Sequence, residues 1–430
     1  MPEGDTSVKA YLRVIVIAAL LGVPAALAAV AFTSLLHDVT HLVWEDLPDA
    51  AGWSEPPWWY VITVPALGGA IVAATLRLPG HGGHGALGGL SMEPLEPIGL
   101  PSALAAALAT LGLGLVLGPE GPLIALGLTM GLVAARWLRA AEQAGQAVVF
   151  AGAFATISTV FGGPLQAALL LFEVLARGGK LTGPQLWRVL IPGFVAAGTG
   201  ALVFTGVADW PGVHEVELAI PGLPPYPTVR IVDLAWCFPV AVASAVAVAA
   251  SVRLASGVSA RGVAHPEALL VGAGLGVGIV AVIFGEIADR PAELVLFSGQ
   301  SNLPAVIAEG SAGVLGLLIV SKVIAYALSL GGGFRGGPVF PAIAIGAAVG
   351  VLAAEVLPGV ELTPALTAGI AAGTAASLQL PIFGALMASL LVGGGESETI
   401  PIAVLASVVG WFTAVAIEGP AGENAEGAHA

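Results

Sequence analysis

The chain has 430 residues, 57% of them apolar and only 10% charged, with a mean hydropathy of +0.95 and a formal net charge of −14. A soluble domain carries about 25% charged residues, so this composition excludes one, and nothing in it calls for a nucleic-acid partner. The single cysteine, Cys237, excludes a disulfide framework and a cysteine-ligated metal site. What remains is an all-α polytopic membrane protein whose solvent is the lipid bilayer, since a β-barrel would show alternating ten-residue segments.

In chain order the predicted spans are 11–36, 58–77, 101–116, 121–138, 145–159, 164–177, 188–206, 229–252, 267–284, 312–330, 341–356, 363–376, 381–393 and 400–417. A straight crossing needs about 17–25 apolar residues, so the shorter spans imply tilted or re-entrant helices. The first span lacks a small-residue cleavage site and reads as a retained helix. Lys9 and Arg13 precede it, whereas the loop from His37 to Pro57 holds Asp38, Glu45, Asp46, Asp49 and Glu55 and no Lys or Arg. With Arg253 and Arg261 in a later loop, the positive-inside rule predicts a cytoplasmic N-terminus, and the expected location of this multi-pass protein is the cell's inner (plasma) membrane. Trp53, Trp58, Trp59 and Tyr60 form an interfacial belt on the other side.

Three breaks interrupt the apolar pattern. Leu78-Pro79-Gly80-His81-Gly82-Gly83-His84 comes first, then Gly118-Pro119-Glu120-Gly121-Pro122, then Gly336-Gly337-Pro338-Val339-Phe340-Pro341. The second and third each open a new helical run. A helix beginning in mid-membrane aims its unpaired N–H groups and positive dipole end at what lies there. Two such half-helices in corresponding places point to a substrate site near the bilayer midplane. The landmarks also repeat: Gly118, Pro164 and Ile191-Pro192 return as Gly337, Pro381 and Ile400-Pro401, about 210–220 residues later. The predicted organisation is a first repeat over 1–207, a connection over 208–228, a second repeat over 229–418 and a polar tail over 419–430.

These motifs, in this order and spacing, resemble the CLC family of chloride channels and anion/proton antiporters, and its bacterial orphan branch more than its well-studied members. Gly118-Pro119-Glu120-Gly121-Pro122 is similar to the family's G-[K/R]-E-G-P, Gly337 to Pro341 to its G-x-F-x-P, and Gly80-His81-Gly82 to its G-S-G-x-P. The resemblance implies an inverted repeat of two helical halves with broken helices. It also implies a homodimer in which each subunit has its own pore. On the matching positions it implies Glu120 as the gate and Gly80, His81, Gly82, Gly118, Gly121, Gly336, Gly337, Val339 and Phe340 as the anion-binding set. The chain departs from the family in several places. His81 stands for a serine and Pro119 for a cation. Pro338 has no N–H to give an anion. No tyrosine follows the last motif, and Val174 lies where antiporters carry an internal glutamate, one place after Glu173.

Each candidate has an ordinary alternative. Glu120 could be an idle helix-start carboxylate, but a charge at mid-bilayer costs roughly 2.5–3.5 kcal/mol on translocon scales, which argues for a role. Arg335 is either a loop arginine or the cation that draws anions to the second break. His81 and His84 read as an anion or proton contact or as an ordinary loop; as a metal pair they lack a carboxylate or cysteine nearby, and no metal or cofactor is expected. Glu173 and Lys322 default to a buried ion pair or a snorkelling side chain, with Glu173 and His84 kept as candidates for a proton path. The glycine run before Arg335 lacks the Gly-Lys-Ser/Thr ending of a phosphate loop, and no nucleophile–base arrangement suggests an enzyme. The expected function is a channel for chloride or a related monovalent anion, gated by Glu120. Alternatives are a proton-coupled antiporter and a non-conducting scaffold of the same fold. With the serine, the tyrosine and one N–H lost, weak anion binding and mild discrimination among chloride, bromide and nitrate are expected.

Overall fold

The computed structural model describes residues 5–177, 183–213, 219–393 and 397–419. Glu396 and all of the polar tail but Gly419 lie outside them. Sixteen α-helices follow in order. The first half holds α1 (Asp5–His41), α2 (Leu47–Ala50), α3 (Trp58–Thr75), α4 (Leu100–Gly112), α5 (Glu120–Trp137), α6 (Glu142–Val160), α7 (Pro164–Arg177) and α8 (Pro184–Val207). The second holds α9 (Ile231–Gly262), α10 (Pro266–Ala288), α11 (Leu303–Ile307), α12 (Ala312–Gly331), α13 (Val339–Val356), α14 (Leu362–Leu378), α15 (Pro381–Gly393) and α16 (Ile400–Glu418). Among the described residues, nine helical segments are long and apolar enough to cross a membrane. α14 and α15 are shorter apolar helices, as is the segment Pro97–Gly112. The chain is thus a multi-pass membrane protein of all-α class.

The halves are built alike. In the first, α1, α6 and α8 pack on one another; in the second, α9, α14 and α16 do. α3 and α10 meet across the divide between the halves. Lipid is as apolar as a leucine side chain, so burial of apolar surface does not hold such helices together; close backbone packing at small residues does. Gly131 of α5 and Gly350 of α13 show it. A Cβ on Gly131 would stand 2.5 Å from the Val149 carbonyl of α6, and one on Gly350 2.6 Å from the Ala365 carbonyl of α14. The two glycines are 219 positions apart, the same separation as Gly118 and Gly337.

α1 and α9 outrun their predicted ends furthest. α1 passes residue 36 and continues through a π-turn, Leu42–Asp46, into α2, stopping where Gly52 takes a φ of +77°. Polar residues do not end a helix; they only end its apolar stretch, and a left-handed glycine stops it. α9 likewise runs to Gly262 rather than 252, because the Ala, Ser and Arg residues there sustain a helix beyond the apolar slab.

Candidate functional site: the crossing of two broken helices

After α4 and after α12 the chain turns and stays non-helical for several residues before the next helix starts. The two segments cross as an isolated antiparallel bridge: Gly118 N–H donates to the Gly337 carbonyl at 2.8 Å, and Gly337 N–H to the Gly118 carbonyl at 2.7 Å. A second reciprocal pair reinforces it. Val116 N–H donates to Ser329 Oγ at 3.0 Å, and Arg335 N–H donates to Thr110 Oγ1 at 3.1 Å. Thr110 with Ser329, and Val116 with Arg335, are again 219 positions apart. Hydroxyls near the ends of α4 and α12 thus satisfy buried N–H groups that neither broken helix can pair itself. A neutral hydrogen bond is worth about 0.5–1.5 kcal/mol net, and leaving a buried donor unpaired costs about 1–3. Thr110→Val and Ser329→Ala should therefore each destabilise the protein by about 1–3 kcal/mol, read as an earlier unfolding midpoint in denaturant.

The bridge brings the starts of α5 and α13 face to face. Glu120, the first residue of α5, is wholly buried, and its side chain reaches across to α13. Oε1 accepts the Val339 N–H at 2.6 Å, while Oε2 is buried without a hydrogen-bond partner. Both bridge residues must be glycine for this seat to exist. A Cβ on Gly337 would overlap the Glu120 carboxyl carbon, and one on Gly118 would overlap Oε2. Gly121 packs on Gly336 just as closely, its Cβ position being 2.6 Å from the Gly336 carbonyl. Phe340 stacks on Phe161 at 5.4 Å, and Phe161 meets Phe383 edge-on at 5.4 Å. Tyr326 of α12, also wholly buried, donates its hydroxyl to the Pro338 carbonyl at 3.0 Å. Sequence reasoning missed Tyr326 because it looked for a tyrosine only after the last motif.

Arg335 ties the first break to this crossing. Its Nε donates to the Gly82 carbonyl at 3.0 Å, Nη2 to the His81 carbonyl at 3.1 Å and Nη1 to the Gly333 carbonyl at 2.7 Å. A cavity of about 30 Å³ opens there, lined by Gly82, His84, Ser91, Gly121, Arg335 and Gly336 among others. His81 itself sits at φ +48°, its ring exposed and its Nδ1 2.8 Å from the Leu76 carbonyl. It is the His81 carbonyl, not the imidazole, that meets Arg335. Gly80 packs against Gly99, which closes the turn that carries these carbonyls.

Two candidates lie away from the crossing. Glu173, on α7, accepts the Ile382 N–H at 3.0 Å and the Phe383 N–H at 2.6 Å, and so caps the start of α15. Lys322 is buried in α12 and gives its ammonium to the carbonyls of Leu294, Leu296 and Phe297 at 3.2, 2.9 and 3.1 Å. Among the described residues, no group of three His, Cys, Asp or Glu side chains is placed to hold a metal ion.

This architecture has relatives. The chain is 28% identical over 351 residues to the "Putative ion-transport protein YfeO" of Salmonella typhimurium, covering 78% of this chain and 79% of that protein. The protein of the same name from Escherichia fergusonii is 27% identical, with 79% and 78% covered. Among solved structures, a slow cyanobacterial Cl−/H+ antiporter superposes with a TM-score of 0.79 at 18% identity, covering 97% of this chain and 98% of that one. A CLC-type fluoride/proton antiporter gives 0.68 at 16% identity, with 95% and 97% covered. Residues 84–415 match the family described as voltage-gated chloride channel, and the chain is a member of that family, a CLC-type anion transporter.

Proposed function

We propose that this protein is an anion channel in which the Glu120 carboxylate is the gate. The carrying observation is the 2.6 Å hydrogen bond from Val339 N–H to Glu120 Oε1. The carboxylate occupies the helix-start position where a monovalent anion, chloride or a relative of it, would otherwise be held. Proton uptake by Glu120, or a competing anion, removes the charge from that seat and opens the path. Flux should therefore rise as pH falls. The proposed anion seat offers the N–H groups of Val339 and Phe340 and is walled by the backbone of Gly118, Gly121, Gly336 and Gly337, with the bridge N–H groups of Gly118 and Gly337 staying paired; it is approached past Gly80, His81, Gly82, His84 and Arg335. Passive conduction is supported by Glu173, whose two oxygens each accept an N–H at the start of α15 and so serve as its cap.

A second reading, anion/proton antiport, is supported by both solved relatives being antiporters. It is also supported by the charged groups gathered at one end of α7: Arg177 interacts with Glu173 and with Glu418 of α16. An anion gradient across proteoliposomes, with external pH recorded, separates the two. Uphill proton movement driven by the anion establishes antiport, and anion flux without it establishes the channel.

A cytoplasmic N-terminus is supported by the distribution of cations over the helix ends. Counted in chain order from the N-terminus of α1, the helix ends that carry Lys9, Arg13, Arg77, Arg136, Arg139, Arg177, Arg188, Arg253 and Arg261 fall on its side. There Arg77 pairs with Glu267, Arg136 with Glu96, and Arg188 with Gln143. Arg230 and Arg290 lie at the other end, with Asp233, Glu309 and Glu361. This supports a cytoplasmic N-terminus in the inner (plasma) membrane. Two copies pair as a homodimer, as the family resemblance implies; cross-linking in membranes tests it.

Arg335 supplies positive potential at the approach. Arg335→Gln should lower anion flux several-fold at low ionic strength and much less near 1 M salt, where the screening length falls to about 3 Å. A loss of equal size at all salt concentrations would point to damaged folding instead.

A further inference from the structure

The cavity beside Arg335 offers more than positive charge. A guanidinium has five N–H groups in a fixed plane, and three of those on Arg335 are committed to the carbonyls of His81, Gly82 and Gly333. One N–H remains on each terminal nitrogen. Nη1 borders Gly85, whose Cβ position lies only 3.2 Å from it, and Gly85 is itself a cavity wall. Gly82, Gly83, Gly85 and Gly89 complete that wall without side chains, which leaves the guanidinium edge uncovered. Among the described residues no carboxylate pairs with Arg335. A half-buried cation held by carbonyl dipoles has no paired counter-charge and leaves room for an anion to supply it.

We propose that this cavity selects a small planar oxyanion, of the nitrate, formate or bicarbonate class, over a spherical halide. The two uncommitted Nη–H groups grip two coplanar oxygens of one ligand, a match that a monatomic ion cannot make. The volume suits it: about 30 Å³ exceeds the ~10–15 Å³ one water needs, which leaves room for a ligand of a few atoms. Gly121 and Gly336 line both the cavity and the crossing, so the ligand waits one step from the Glu120 seat. The assignment rests on the reading that this cavity lies on the anion path.

The test uses the full chain in proteoliposomes with matched gradients of nitrate, bromide, formate and chloride. Nitrate and bromide are similarly hydrated, so their ratio isolates shape from ease of dehydration. The wild type should move nitrate about tenfold faster than bromide, and formate faster than chloride, a factor of ten being ~1.4 kcal/mol of differential binding. Arg335→Lys keeps the charge and loses the fork; its total flux drops and both ratios collapse toward one. In detergent, nitrate should raise the unfolding temperature of the wild type more than bromide does, and Arg335→Lys should abolish the difference. This second readout needs no flux. A wild-type nitrate/bromide ratio near one, an equal thermal response to both ions, or ratios that Arg335→Lys leaves unchanged overturn the proposal. Failure of the gate reading shows elsewhere, as unchanged pH dependence in a Glu120 variant.

Discussion

Replacing Glu120 by Gln flattens the pH dependence of anion flux and leaves flux at neutral pH near the wild type's acid level. Gln has the shape of the protonated acid and cannot ionise. The bond it can still accept from Val339 N–H is neutral, worth about 0.5–1.5 kcal/mol against ~1.5–3 for the charged form. A loss of about 1 kcal/mol in the seated state multiplies the vacated fraction roughly fivefold. Flux recorded from about pH 4.5 to 8 in vesicles of wild type and Glu120→Gln checks it. If the two profiles run parallel, Glu120 is not the gate.

Gly337→Ala should reach the same end by steric means. The added methyl stands where the Glu120 carboxyl carbon lies, so the side chain must leave its seat. The backbone accepts alanine, because Gly337 is not among the positive-φ residues. The variant should fold, conduct several-fold more than wild type near neutral pH and lose most of its response to acid. The double variant Gly337→Ala/Glu120→Gln should add nothing, since both changes vacate one site and contacting residues are not additive. A Gly337→Ala variant that unfolds normally in denaturant yet keeps the wild-type pH profile would place the carboxylate elsewhere.

The sequence carried the local part of this site and not the long-range part. Gly118-Pro119-Glu120 and Gly337-Pro338-Val339 are legible because a Gly-Pro break in an apolar run has one strong consequence, a new helix start. Their direct contact is not legible, since it depends on two non-helical segments crossing antiparallel from opposite halves. The 219-residue offset hinted at it, yet Thr110 and Ser329 drew no notice as hydroxyls inside apolar spans. Motif position suggested the His81 ring as an anion donor. The structure turns that residue into a left-handed turn, gives its ring to Leu76 and its carbonyl to Arg335. The expectation of mild anion discrimination came from counting lost donors. It left out the geometry of Arg335, whose guanidinium reaches the first break only because the fold brings residues 82 and 335 together.

The fold's regular parts were easier. Span positions follow from apolar length alone, while the true ends of α1 and α9 follow from helix chemistry in water, which hydropathy does not report. Glu173 looked like a proton carrier or half of an ion pair. It is also a helix cap, a role invisible until α15 is seen to start at its carboxylate.

The most direct test is anion flux from the purified full chain in proteoliposomes, measured at about pH 4.5 and about pH 7.5 for wild type and Glu120→Gln side by side. Flux above empty vesicles is expected for at least one of chloride, bromide, nitrate and fluoride, acid-stimulated in the wild type and pH-independent in the variant. Flux indistinguishable from empty vesicles for all four anions in both proteins would contradict it and leave a non-conducting scaffold of the same fold.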